Sequence, residues 1–261
     1  MAGPVTWSVR STERRGDAVV EDGAYPGPDG DPVKAFLVRP EQLDGDAAGI
    51  VAWHWFDPKA PDGDRTQFVD EAVELASLGV VSLLPQGRFP WAGDPSGSVA
   101  DTAAIRAEVD RLRAAVDLLA AHPEVDADRL GVVGHDFGGM LAVLEAADDA
   151  RIRALVVIAA TPRWGDWFLP FWDIPEDRID YLRALRPFDP IERLGDVPAD
   201  VLLQFAGNDF FIAAMSALEL RSAARDGAEQ RTYDGADHAM RSEEARRDRI
   251  EFLARTLRVA R

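Results

Sequence analysis

The chain contains no cysteine, which excludes a disulfide framework and a thiolate metal site. Lysine is almost absent as well: Lys34 and Lys59 stand alone, and every other basic side chain is arginine. With abundant Ala and Asp this reads as genomic base bias. Long hydrophobic runs are missing; no stretch reaches the roughly 18 apolar residues a membrane-spanning helix needs. Positive charge is scarce, with 29 Lys and Arg against 46 Asp and Glu and a formal net charge of −17. A chain this acidic repels phosphate backbones, so nucleic acid is not an expected partner. Residues 1–16 carry Arg10, Arg14 and Arg15 and lack the apolar run of a secretory signal. Neither an H-E-x-x-H motif nor a phosphate loop occurs, so no metal, nucleotide or other cofactor is expected. These absences lead us to expect a soluble, cytoplasmic protein that acts on a small molecule without membrane contact. A homodimer is compatible with the sequence.

What is present suits one large core. The chain has 261 residues, 47% of them apolar, which fits a single α/β domain over residues 1–261. Val19–Tyr25 and Ala35–Val38 flank a Pro-Gly-Pro-Asp-Gly cluster and read as a hairpin. Short apolar runs then follow at Gly49–Trp55, Val80–Leu84, Leu130–Gly134, Leu155–Ala159, Val201–Phe205 and Gln230–Tyr233. Helical patterns separate them: Thr66–Leu78 stopping at Gly79, Ala100–Ala121 ending at His122-Pro123, Phe137–Ala147, and a last helix that Ser242 can cap. A hairpin followed by strand–helix repeats predicts a mostly parallel, eight-stranded sheet with helices on both faces. Residues 163–194 break the rhythm after the sixth strand. They form an irregular, aromatic-rich insertion with Trp164, Trp167, Phe168, Phe171 and Trp172, and we expect a lid there.

The chemistry concentrates at Gly134-His135-Asp136-Phe137-Gly138-Gly139, between an apolar strand and a small-residue helix. This is a G-x-nucleophile-x-G elbow with Asp where Ser is usual. Alone the pattern is weak, since an Asp there can simply cap a helix. Two later motifs strengthen it. Gly207-Asn208-Asp209 follows the seventh expected strand, and Gly235-Ala236-Asp237-His238 follows the eighth. The order Asp136, Asp209, His238 is that of nucleophile, acid and base at strand ends. His135 reads as elbow packing, Asp57 and Asp64 as turn residues, and Arg88 as a surface ion pair.

These motifs resemble the α/β-hydrolase fold, in particular its dienelactone-hydrolase-like branch. Ala121-His122-Pro123-Glu124-Val125-Asp126 running into Arg129-Leu130-Gly131-Val132-Val133-Gly134, and Gln204-Phe205-Ala206-Gly207-Asn208-Asp209, carry the resemblance over about residues 30–260. That branch usually has Cys or Ser at the elbow. The Gly-His-Asp elbow is instead similar to epoxide hydrolases and haloalkane dehalogenases. The resemblance implies an oxyanion hole from the Trp55 and Phe137 N–H groups. His54, Trp164, Trp167, Trp172 and Tyr181 are the candidate substrate-binding residues.

An Asp nucleophile, with a reference pKa of about 4, is already ionised at neutral pH and can attack a saturated carbon bearing a halide or an epoxide oxygen without help. The product is an alkyl ester on Asp136, and water activated by His238 would release it. Phe137 supplies no side-chain donor where haloalkane dehalogenases have Trp, and Tyr181 is the insertion's one tyrosine where epoxide hydrolases use a pair. The alternatives are an ester or lactone hydrolase of the dienelactone type, and a non-hydrolytic lyase or binding protein on the same fold.

Overall fold

The computed structural model describes residues 6–43, 45–172 and 175–259. Three strands open it: β1 (Ser8–Arg15), β2 (Ala18–Pro26) and β3 (Pro32–Pro40). Then come β4 (Ala47–Trp53), α1 (Val69–Ala76), β5 (Val80–Pro85), α2 (Ala100–Ala120), β6 (Val125–His135), α3 (Phe137–Asp148) and β7 (Ile152–Ile158). The chain continues through α4 (Trp164–Phe171), α5 (Arg178–Leu185), α6 (Pro190–Arg193), β8 (Asp200–Ala206), α7 (Ala214–Ala223), β9 (Glu229–Tyr233) and α8 (Glu243–Thr256).

All nine strands join one sheet in the order β1-β2-β3-β5-β4-β6-β7-β8-β9. The first three strands and the β3–β5 pair are antiparallel; from β5 onward the pairs are parallel. The central strands β4, β5 and β7 are almost wholly buried, as strands covered by helices on both faces must be. All carboxyl ends of the parallel strands open on one edge, and in open α/β sheets ligands bind at that edge.

Two expectations need correction. The sheet has nine strands rather than eight. The extra one, β1, is exposed at every position and pairs with β2 at the sheet edge. An edge strand buried on neither face leaves no period-two hydrophobic signal. The described residues of the insertion at 163–194 are largely helical rather than irregular, holding α4, α5 and α6. Its two longer helices have eight residues each, and α4 contains Pro170, so neither is long enough to print a helical period. Two expected ends are met: Gly79 follows the α1 region at φ +83°, and Ser242 Oγ accepts the Ala245 N–H to cap α8, whereas β6 and β7 begin earlier than expected, at Val125 and Ile152. No helix among the described residues is long and apolar enough to cross a membrane.

The last helix is locked to the sheet by a buried polar network. Arg249 forks onto Glu71 of α1 at 2.9 and 2.6 Å and donates to Gln204 Oε1 of β8 at 2.7 Å. Gln204 passes its own N–H groups to the Tyr233 hydroxyl and the Ala245 carbonyl. Removing one partner leaves the other charge buried and unpaired. We expect Arg249→Met to lower unfolding stability by about 3–5 kcal/mol, read from urea denaturation. The double variant Arg249→Met with Glu71→Leu should recover much of that loss.

Candidate active site

The elbow is built from a conformation that L-amino acids avoid. Asp136 sits at φ 57°, ψ −120°, at the junction of β6 and α3. Its own N–H donates to the Ile158 carbonyl at 2.8 Å, which ties the bend to β7. Glycines make the bend fit: a Cβ on Gly134 would strike the Gly138 backbone, and one on Gly138 would strike the Trp53 carbonyl. Strain of this kind persists only where the surroundings over-determine it, and it marks functional sites.

The strained bend places the Asp136 side chain inside the protein, at 1% exposure. Oδ2 accepts the Phe56 N–H at 3.1 Å, and the Phe137 N–H also acts on the carboxyl. Oδ1 has no hydrogen-bond partner among the described residues. Burial dominates the electrostatics and pushes the pKa up to about 7, against the pull of His238 and the two N–H groups. The expectation of a fully ionised carboxylate at neutral pH is therefore corrected, because sequence carries no measure of desolvation.

His238 is also buried, and its Nδ1–H donates to Asp209 Oδ2 at 2.9 Å. Burial works against its protonation, while the Asp209 hydrogen bond and the Asp136 and Asp209 charges outweigh it and raise the pKa. Its Nε2, like Asp136 Oδ1, is buried and without a partner among the described residues. Asp209 does two jobs at once, since its Oδ1 takes the Phe211 and Ile212 N–H groups at 2.8 and 3.0 Å. The three side chains singled out by motif order thus meet at the carboxyl ends of β6, β8 and β9.

Several other expectations change. Trp55 is not the N–H donor facing the elbow; its N–H is taken by Gln67 Oε1 at 2.8 Å, and the donor one residue later, Phe56, does that work. His54 does not reach toward substrate. It is fully buried, donates from Nδ1 to the Trp55 carbonyl and accepts the Gly87 N–H at Nε2, and burial drives its pKa down to about 4. Tyr181 donates to Asp101 Oδ2 at 2.7 Å, at the start of α2, so its hydroxyl is committed away from the elbow. Trp164 is buried, with its indole N–H on the Phe188 carbonyl and its ring stacked on Phe137. Trp172 packs on Phe56 and Phe137 and donates to Asp94. Trp167 lies against both His238 and Phe137. Arg88 forms an ion pair with Asp31, and Asp57 and Asp64 accept N–H groups two residues on, as expected.

Sequence reasoning missed Phe56, Gln67 and Phe211. Gln67 links the Trp55 N–H to the ring of His135 at 2.6 Å, and His135 in turn donates to the His238 carbonyl at 2.8 Å. Phe211 covers His238 at 5.0 Å between ring centroids. A backbone donor, a bridging glutamine and a packing aromatic leave no motif.

Residues 97–255 match the model of the Dienelactone hydrolase family, well over half of the chain. The chain belongs to the dienelactone hydrolase family. This family member is 28% identical over 235 residues to a Bradyrhizobium sp protein described as "Probable 2-oxo-3-(5-oxofuran-2-ylidene)propanoate lactonase", covering 85% of each chain. It superimposes on an acetyl xylan esterase from Paenibacillus sp. R4 with a TM-score of 0.78 at 20% identity, over 97% of this chain and 88% of that one. Acetyl Xylan Esterase 1 from Thermoanaerobacterium sp. JW/SL YS485 gives 0.75 at 18% identity, over 100% and 89%. These likenesses establish the α/β-hydrolase fold, and family membership makes this a dienelactone hydrolase-like hydrolase.

Asp136 has a consequence for stability. Its folded pKa, about 7, lies above the ordinary 3.8, so it favours the fold fully below 3.8 and loses that contribution as pH rises to about 7. Asp136→Asn removes this dependence. The variant should gain on the wild type by up to about 1.4 kcal/mol per pH unit across that window, measured by denaturant unfolding at pH 5 and pH 8.

Proposed function

We propose that this dienelactone hydrolase family member hydrolyses a small, largely apolar ester or lactone, using Asp136, His238 and Asp209. One observation carries the reading. Asp136 Oδ1 and His238 Nε2 are the two atoms of this pair left without a partner among the described residues, while Oδ2 and Nδ1 are both engaged. The family and the lactonase relative support the substrate class.

The chemistry follows from the two pKa shifts. A base with a pKa of about 7 is well matched to neutral pH, and the Asp209 hydrogen bond and the neighbouring carboxyl charges favour the protonated form of His238 beside it. Asp136 Oδ1 takes a proton from water as the water oxygen bonds to the substrate carbonyl carbon. His238 Nε2–H gives its proton to the leaving oxygen as the acyl C–O bond breaks. The proton on Asp136 then returns to His238, and the products are an acid and an alcohol, or one hydroxy acid from a lactone. Asp209 holds the imidazole in orientation throughout.

A second reading has its own support. Because Oδ2 already rests on the Phe56 N–H, Oδ1 is presented as a nucleophile. Attack on a saturated carbon would displace halide, or open an epoxide with proton transfer to its oxygen, and leave an alkyl ester on Asp136. Water deprotonated by His238 would then add to that ester, with the charge on Oδ2 held by the same N–H groups.

Turnover in heavy-oxygen water separates the two. Over a panel of esters, lactones, epoxides and haloalkanes, the first reading expects label in product alone and no adduct in His238→Gln. Label in the Asp136 carboxylate, with an alkyl adduct accumulating in His238→Gln, would establish the second. Asp136→Asn should lose roughly 10²–10⁴-fold in rate under either; wild-type rates in that variant would refute both.

A further inference from the structure

A buried donor with no acceptor costs free energy, and such atoms are rare. Trp167 keeps one beside His238. Its ring lies 5.8 Å from the His238 ring, edge to face at 66°, and 5.3 Å from Phe137. Its indole N–H is buried and without a partner among the described residues. The other tryptophans around the site are committed. Trp55 donates to the Asp62 carbonyl, Trp91 to the Trp55 carbonyl, Trp164 to the Phe188 carbonyl and Trp172 to Asp94. Trp53 also has a buried N–H without a partner, but it lies on β4 in the core of the sheet.

The usual backbone donor is meanwhile occupied, since the Phe56 N–H holds Asp136 Oδ2. Charge developing on the substrate needs another donor: in the ester or lactone reading it builds on the carbonyl oxygen as water adds, and then on the leaving oxygen, next to His238, as the acyl C–O bond breaks. We propose that the Trp167 indole N–H hydrogen-bonds this leaving oxygen, an inference that rests on the ester or lactone reading. The indole donates without giving up its proton; the proton that neutralises the oxygen comes from His238 Nε2. Trp167 then sets preference by leaving group. It matters most for alkyl esters and lactones, whose leaving oxygens carry concentrated charge, and least for aryl esters, which spread it.

Trp167→Phe keeps an aromatic ring and deletes the donor. Its kcat on alkyl esters or lactones should fall on the order of 100-fold, with KM within about threefold. On p-nitrophenyl esters the fall should be under about threefold. A purely packing role would lower both substrate classes alike, and that result would overturn the proposal, as would wild-type kcat on both. If the variant fails to fold, the wild type labelled with ¹⁵N in its indoles serves instead. Saturation with an inert cyclic ether of the lactone's ring size should shift the indole resonance of a buried tryptophan coupled by proton contacts to the His238 ring. An unmoved resonance overturns the proposal. A wild type that hydrolyses no ester or lactone overturns the functional reading and this inference with it; an active wild type with an unaffected Trp167→Phe overturns this inference alone.

Discussion

The hydrogen bond from the Phe56 N–H to Asp136 Oδ2 joins the loop after β4 to the bend after β6 and holds a carboxyl group where water does not solvate it. Desolvation raises the pKa of Asp136 to about 7, and in the chemistry proposed for this site that shift suits the carboxyl to proton transfer near neutral pH. His238 answers it. Backed by Asp209, it holds its proton more tightly than a free imidazole, so the two groups stabilise each other's charged forms.

The scaffold spends its regularity to hold this arrangement. Parallel strands bring the turn after β6, the loop after β8 and the loop after β9 to one edge. Neutral His135 anchors the His238 backbone and is itself fixed by Gln67, whose carbonyl also takes the Trp55 N–H. His54 likewise stays neutral and pins the Trp55 carbonyl and the Gly87 N–H. Three of the four histidines are therefore in or directly beside the loops around Asp136, but two of them are structural. Aromatic rings fill the remaining space: Phe137 touches Phe56, Trp164, Trp167, Phe168 and Trp172, and the exposed edges of Phe171 and Phe211 carry this cluster to the surface.

Much of this was legible because glycine, strand endings and motif order are written in the chain. Motif order pointed to Asp136, Asp209 and His238, which the fold places at neighbouring strand ends, and the parallel core and the capping of α8 by Ser242 were legible too. What escaped has physical reasons. The exposed strand β1 has no buried face to print a period. The backbone donor was misplaced by one residue, from Phe56 to Trp55, because a loop's N–H directions follow no side-chain pattern. An indole or phenol says nothing in sequence about its partner, so Trp164, bound to Phe188, and Tyr181, bound to Asp101, looked as available as Trp167. The protonation of Asp136 depends on burial, which is a property of the packed fold.

Direct titration of the Asp136 carboxyl carbon by ¹³C NMR, in wild type and in His238→Gln, tests the account at its root. A carboxyl that titrates near pH 7 in the wild type and higher once the imidazole is lost is the result expected. A carboxyl that titrates near its ordinary value of 3.8, indifferent to His238, would mean that Asp136 is solvated and uncoupled, and the chemistry assigned to this site would fall.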